Sequence, residues 1–132
     1  MTKFLLDTWA WIEYFEGSEI GRKVDEKIRS EDEIYTSIVT LAELSDNFHR
    51  KDVITGYSWE EIREFVETKT EILPVTPENS SKAGKTKAEE RKEMKDFGLM
   101  DAIILETARR KEAKLISGDS HLQKQEISLE IK

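Results

Sequence analysis

Short apolar runs at Lys3–Leu6, Glu33–Thr36, Glu71–Val75 and Lys114–Ser117 alternate with longer stretches that carry helix signals. Runs of this length predict strands. Between them the apolar spacing and the capping residues predict helices over Trp9–Phe15, Glu19–Arg29, Ile38–Lys51, Pro77–Lys95 and Leu99–Glu112. A further helix runs to Lys69 from Ser58, where Glu61 stands three residues later as the second half of a capping box. Strands that alternate with helices give an α/β fold, a mainly parallel sheet with helices on both faces. A last strand over Ile127–Ile131, with Ile127, Leu129 and Ile131 on one side, reads as a sheet edge. No repeat, low-complexity tract or Gly/Ser linker divides the 132 residues, and Pro74 and Pro77 only bracket one connection. Residues 1–132 are therefore expected to form one domain.

Composition removes several classes of function. There is no cysteine, which excludes disulfides and thiolate metal sites, and the cytoplasm is the expected compartment. No run approaches the roughly 18 to 20 apolar residues that cross a bilayer. The opening MTKFLLD is too short an apolar stretch for a signal-peptide core, so no membrane partner is expected. A net charge of −7 argues against broad nucleic-acid affinity through counterion release. Charge is nevertheless local: Lys82, Lys85, Lys87, Arg91, Lys92 and Lys95 form one basic stretch, and Arg109, Arg110, Lys111 and Lys114 another. Each is either a solvated helix face or a positive margin beside an acidic site.

Two acids, Asp7 and Asp119, occupy positions where such a sheet gathers ligands, outside the carboxyl ends of its strands, and two more, Glu43 and Asp101, reach that rim if their helix N-termini border it. Asp7 directly follows the first strand, and Asp119 follows Leu115-Ile116 and the turn Ser117-Gly118. Glu43 lies about one turn into the helix after the second strand, and Asp101 in the first turn of the helix that leads into the strand at 114. Asp7 and Asp119 taken singly also read as capping or loop residues. Glu43 shares the polar side of its helix with Thr40 and Asn47, opposite an apolar stripe of Ile38, Leu41, Leu44 and Phe48, and alone reads as solvated.

Asp101 is harder to explain by structure alone. Leu99 and Met100 precede it, Ala102 to Leu105 follow it, and Ile104, Leu105 and Ala108 share its face. A helix start that is apolar nearly all round is expected to be buried. Burying an ionised carboxylate costs several kcal/mol, whereas a helix N-terminus returns only about 0.3–1 kcal/mol, so a cation is expected to face Asp101. Oxygen ligands suit Mg²⁺ or Mn²⁺. His49 belongs to a charged helix end and reads as solvated; His121, two residues past Asp119, is either a surface residue or a substrate contact.

The segments LLDTWAWIEYF, TSIVTLAEL, LMDAIILETA and LISGDSHL resemble, in order and spacing, the four signature blocks of PIN-domain ribonucleases, closest to the toxin half of VapBC toxin–antitoxin pairs. The resemblance runs from Phe4 to about Leu122. It implies a three-layer α/β/α sandwich on a mainly parallel sheet, a Mg²⁺- or Mn²⁺-dependent endoribonuclease, homodimers and a cognate VapB-type antitoxin. By position, Asp7 and Asp101 match the acids that hold the metal, and Glu43 and Asp119 match the rest of the acidic set. Thr8 matches the hydroxyl residue that often follows the first aspartate, able to bond a phosphate or orient a ligand. Two positions depart from the pattern. Trp9 stands where a small serine is common, and Ser120 and His121 follow Asp119 where some relatives soon carry another acid.

The resemblance also implies water attack on an RNA phosphate, with Glu43 orienting or deprotonating the water, and 5′-phosphate and 3′-hydroxyl products. A receiver domain would need an acid pair after the first strand, but Asp7 is followed by Thr8; a DxD phosphatase fails because residue 9 is Trp. The remaining alternative is a non-catalytic or regulatory PIN-fold module that binds RNA or protein. Trp11, Tyr14 and Phe15 fall on one helix face, most simply as core, although exposed members would suit a dimer or an antitoxin segment. A basic antitoxin side chain placed among the carboxylates would inhibit them.

Overall fold

The computed structural model describes residues 2–30, 32–50, 54 and 56–118, together with the backbone of 128–129. In chain order the elements are β1 (Lys3–Leu6), α1 (Thr8–Glu16), α2 (Glu19–Arg29), β2 (Glu33–Ser37), α3 (Ile38–His49) and α4 (Trp59–Lys69). They continue with β3 (Glu71–Leu73), α5 (Pro77–Glu90), α6 (Leu99–Lys111), β4 (Lys114–Ile116) and β5 (Ser128–Leu129). The five-stranded sheet has the order β3-β2-β1-β4-β5, and every pairing is parallel. The last strand is an edge, as expected, and Ser128–Leu129 is the part of Ile127–Ile131 that lies among the described residues.

Local chemistry sets the boundaries. Ser18, Ser37, Ser58 and Thr76 each cap a helix through a side-chain oxygen. The capping box at Ser58 is complete: Glu61 N–H donates to Ser58 Oγ at 3.1 Å, and Ser58 N–H donates to Glu61 Oε1 at 2.9 Å. β3 stops at Leu73, before Pro74, whose missing N–H cannot extend the ladder. Pro77 opens α5, where a lost N–H costs nothing. α5 ends at Glu90 rather than Lys95, because residues 91–98 turn back toward α6 around the fully buried Phe97.

Alternation along the strands builds two cores. Phe4, Leu6, Ile34 and Ile116 face Ala10, Trp11, Phe15, Val24, Leu44, Ile62 and Val66 from α1, α2, α3 and α4. Leu5, Tyr35, Leu73 and Leu115 face Ala83, Ala102, Leu105 and Ala108 from α5 and α6. This is the α/β/α sandwich, with each large buried side chain contributing about 1.5–3 kcal/mol. Trp11, Phe15, Tyr14 and Phe65 pack ring on ring at 5.1–6.1 Å between centroids, so the aromatic face of α1 is core. One polar chain crosses that core. Trp11 Nε1 donates to Thr36 Oγ1 (3.1 Å), and Thr70 Oγ1 donates to the Val66 carbonyl (2.8 Å). A hydroxyl has one proton, so the 2.7 Å contact between them must be Thr36 donating to Thr70.

α1 and α2 approach closely at Gly21, where a β-carbon would fall on the Glu13 carbonyl of α1. Gly21→Ala is expected to destabilise the fold by about 1–3 kcal/mol, despite alanine's better helix propensity. Urea unfolding followed by circular dichroism measures this, and wild-type stability would mean that the two helices are not packed in this way.

Candidate functional site

The strand order places a topological switch point beside β1. From β1 the chain moves to β2 and β3 on one side, and later lays β4 and β5 on the other. A crevice opens at such a point, between the carboxyl ends of β1 and β4. Asp7 stands in it: its N–H donates to the Ile116 carbonyl at the end of β4 (3.3 Å), and the residue is 3% exposed. Its Oδ1 accepts from Ala10 N–H at 2.9 Å, which makes it the N-cap of α1. Capping is served as well by asparagine or serine, so the cap alone does not explain a carboxylate here.

The next residue reaches across to α3. Thr8 Oγ1 donates to Glu43 Oε1 at 2.6 Å, joining the first turn of α1 to the second turn of α3. Glu43 is half-buried, and Thr40, one turn earlier on its side of the helix, is fully buried with no hydrogen-bond partner for its hydroxyl among the described residues. Ile38, expected on the buried stripe, is 43% exposed. The solvated reading of Glu43 is therefore corrected: near its N-terminus, α3 turns its polar side inward, and its first apolar residue overhangs the sheet.

The expectation for the start of α6 also changes. Leu99 and Met100 are exposed, and the buried stretch begins only at Ala102, so this first turn is not enclosed all round. Asp101 is half-buried, and its Oδ2 accepts from the Gly98 N–H at 3.2 Å. α6 leads into the start of β4, which puts its N-terminus at the carboxyl rim. α3 packs against both α1 and α6. Three helix N-termini thus face one rim, each favouring negative charge.

Asp119 and His121 lie outside the described residues. Among the described residues no group of three or more His, Asp or Glu side chains is gathered so as to hold a metal ion. Asp7, Glu43 and Asp101 are thus not drawn together as one metal-holding group; as carboxylates they are hard oxygen donors of the type that fits Mg²⁺ or Mn²⁺.

The two basic stretches meet at one end and part at the other. Arg91 Nε donates to the Phe97 carbonyl at 2.8 Å, so the turn that carries Arg91, Lys92 and Lys95 abuts the start of α6. Arg109, Arg110 and Lys111 lie in the last turn of α6, and Arg109 bonds Glu106 (2.7 Å), which also accepts from Thr86 (2.8 Å). Only the turn with Arg91, Lys92 and Lys95 comes near the start of α6, whereas Lys82 lines a pocket with Arg109 and Arg110. His49 is exposed, its ring nitrogen 2.7 Å from the Ser45 carbonyl, as expected for a solvated helix end. An open groove of about 410 Å³ between α1 and α4, lined by Tyr14, Phe15, Tyr57, Phe65, Glu61 and Glu64 among others, includes none of Asp7, Glu43 and Asp101.

One contact had no sequence signal. Trp9, in the first turn of α1, lies on Gly118, two residues past β4, so closely that a β-carbon there would fall 2.0–2.4 Å from atoms of the indole ring.

The family model for the PIN domain matches residues 4–127. Among solved structures, a toxin–antitoxin complex from Klebsiella pneumoniae is similar with a TM-score of 0.72 and 19% identity, covering 95% of this chain and 94% of that one. VapBC2 from Rickettsia felis, bound to a promoter DNA fragment, gives 0.71 and 15% over 98% and 97%. The sarcin–ricin-loop-cleaving toxin VapC20 of Mycobacterium tuberculosis gives 0.67 and 16% over 88% and 91%. At such identities the likeness shows the fold. No curated protein matches the sequence.

Thr8→Val removes the donor to a half-buried carboxylate and is expected to cost about 1.5–3 kcal/mol, while Thr8→Ser keeps the hydroxyl and most of the stability. Chemical denaturation of the two variants separates them. Equal stabilities would show that the Thr8–Glu43 bond contributes nothing.

Proposed function

The chain belongs to the PIN-domain family, and from that premise we propose that it is a metal-dependent endoribonuclease, the VapC-type toxin of a type II toxin–antitoxin pair. What carries this reading is Asp7, buried at the switch-point crevice, with Glu43 held beside the same helix turn through Thr8. The similar structures that are toxin–antitoxin complexes, and a similar toxin that cleaves an RNA loop, support it. Residues 1–132 form a single PIN domain on this reading. It acts in the cytoplasm as a homodimer, with a VapB-type antitoxin as partner; no helix among the described residues is long and apolar enough to cross a membrane.

Asp7 and Asp101 would hold Mg²⁺ or Mn²⁺, with Asp119 and Glu43 completing the acidic set. When bound there, a divalent ion would lower the pKa of water and offset charge on the phosphate oxygens. The remaining work belongs to the side chains. Thr8 gives its one proton to Glu43. A phosphate diester brings no proton of its own, so the hydroxyl acts on substrate through Glu43, by fixing how that carboxylate is turned. Glu43 orients the attacking water and takes its proton. The N-termini of α1, α3 and α6 favour the scissile phosphate, while Arg91, Lys92 and Lys95 meet phosphates along the flanking strand and His121 touches the RNA. In-line attack by water leaves a 5′-phosphate and a 3′-hydroxyl. A basic antitoxin side chain seated among the acids would silence the site by charge.

RNA cleavage by the purified protein is expected with Mg²⁺ or Mn²⁺ and to stop in EDTA. Asp7→Asn and Asp101→Asn should each lower the rate by about 100-fold or more with little loss of stability, because asparagine retains an oxygen to accept from Ala10 N–H and from Gly98 N–H. Cleavage that persists in EDTA, or ends that carry a 2′,3′-cyclic phosphate, would overturn the assignment.

A further inference from the structure

We propose that Trp9 is a positioning residue for the metal centre, acting through Gly118; the proposal rests on the nuclease reading above. Glycine at 118 is not required by its backbone, since the positive-φ glycines among the described residues are Gly17 and Gly56. What excludes a side chain is the indole. A β-carbon on Gly118 would collide with Cδ2, Cε2 and Cζ2 of Trp9. Those atoms form the body of the ring, not the tip of a flexible chain. Trp9 is also packed against the core cluster that contains Phe4, Leu6 and Ile116, so the ring has little freedom to swing aside.

The contact spans the crevice. On one side is the turn Asp7-Thr8-Trp9, which caps α1 and holds Glu43; on the other is the exit of β4, anchored by the fully buried Ser117. The Asp7 N–H to Ile116 carbonyl bond closes the floor between the two strands, and the indole on Gly118 acts as a spacer above it. In the sequence Gly118 immediately precedes Asp119, the fourth acid of the proposed set, so a ring that fixes Gly118 fixes the last described residue before that acid. The two positions are matched in size. Serine at 9 would leave a gap over Gly118, and any side chain at 118 would drive the indole off the strand exit.

The test is Mn²⁺ binding by titration calorimetry, alongside unfolding, for wild type, Trp9→Ser, Gly118→Ala and the double variant. Each single substitution is expected to weaken Mn²⁺ binding by about 10-fold or more, the scale of residues that orient metal ligands. The double variant, in which the collision is relieved, is expected to bind more tightly than Gly118→Ala. Gly21→Ala, which crowds α1 against α2 away from the crevice, should lower stability without altering Mn²⁺ binding; this separates positioning from general destabilisation. Wild-type Mn²⁺ affinity in a folded Gly118→Ala protein, or in Trp9→Ser should Gly118→Ala not fold, overturns the proposal. So does a double variant no better than Gly118→Ala. Failure of the wild-type protein itself to bind Mn²⁺ would instead remove the nuclease reading, and this proposal with it.

Discussion

β1 is the constraint on which the rest of the molecule depends. It is hydrogen-bonded along both edges, to β2 and to β4, and its last three residues are buried against one core or the other. A strand held so completely leaves its next residue almost no choice of position. Asp7 emerges at the point where the strand order reverses, and the hydrogen bond to Ile116 extends the ladder one step beyond the sheet. The crevice, the cap of α1 and the reach of Thr8 to Glu43 all follow from the place where β1 stops.

Much of this was legible in the sequence because strands and helices announce themselves through local chemistry. Short apolar runs marked the four main strands to within a residue or two, and Ser58 with Glu61 marked the start of α4 correctly, since a capping box is settled within four residues. Pro74 and Pro77 bracketed the connection after β3 for an equally local reason. The parallel arrangement followed from alternation, because successive parallel strands need a helical crossover.

What the sequence did not disclose depends on how elements overhang one another. The stripe on α3 identified its apolar side but not that Ile38 projects past the sheet while Thr40 turns inward. The apolar opening of α6 suggested burial, yet Leu99 and Met100 are exposed. In both cases periodicity describes a helix as if it were covered along its whole length, and the ends of these two are not. The basic residues near 110 resembled a margin until the length of α6 carried them to its far end. The proximity of Trp9 and Gly118 belongs to no local pattern at all, since the two lie on separate elements brought together by the sheet.

The carboxylate of Asp7 both starts a helix and faces the rim, and that double duty bears on descent. Selection for a folded chain would keep an oxygen-bearing side chain at this position even in a lineage that had abandoned its chemistry. The survival of aspartate or asparagine there is thus weak testimony to activity when distant cousins are compared. The hydroxyl that tethers Glu43 joins α1 to α3 and stabilises the fold in its own right, so its retention is testimony of the same weak kind.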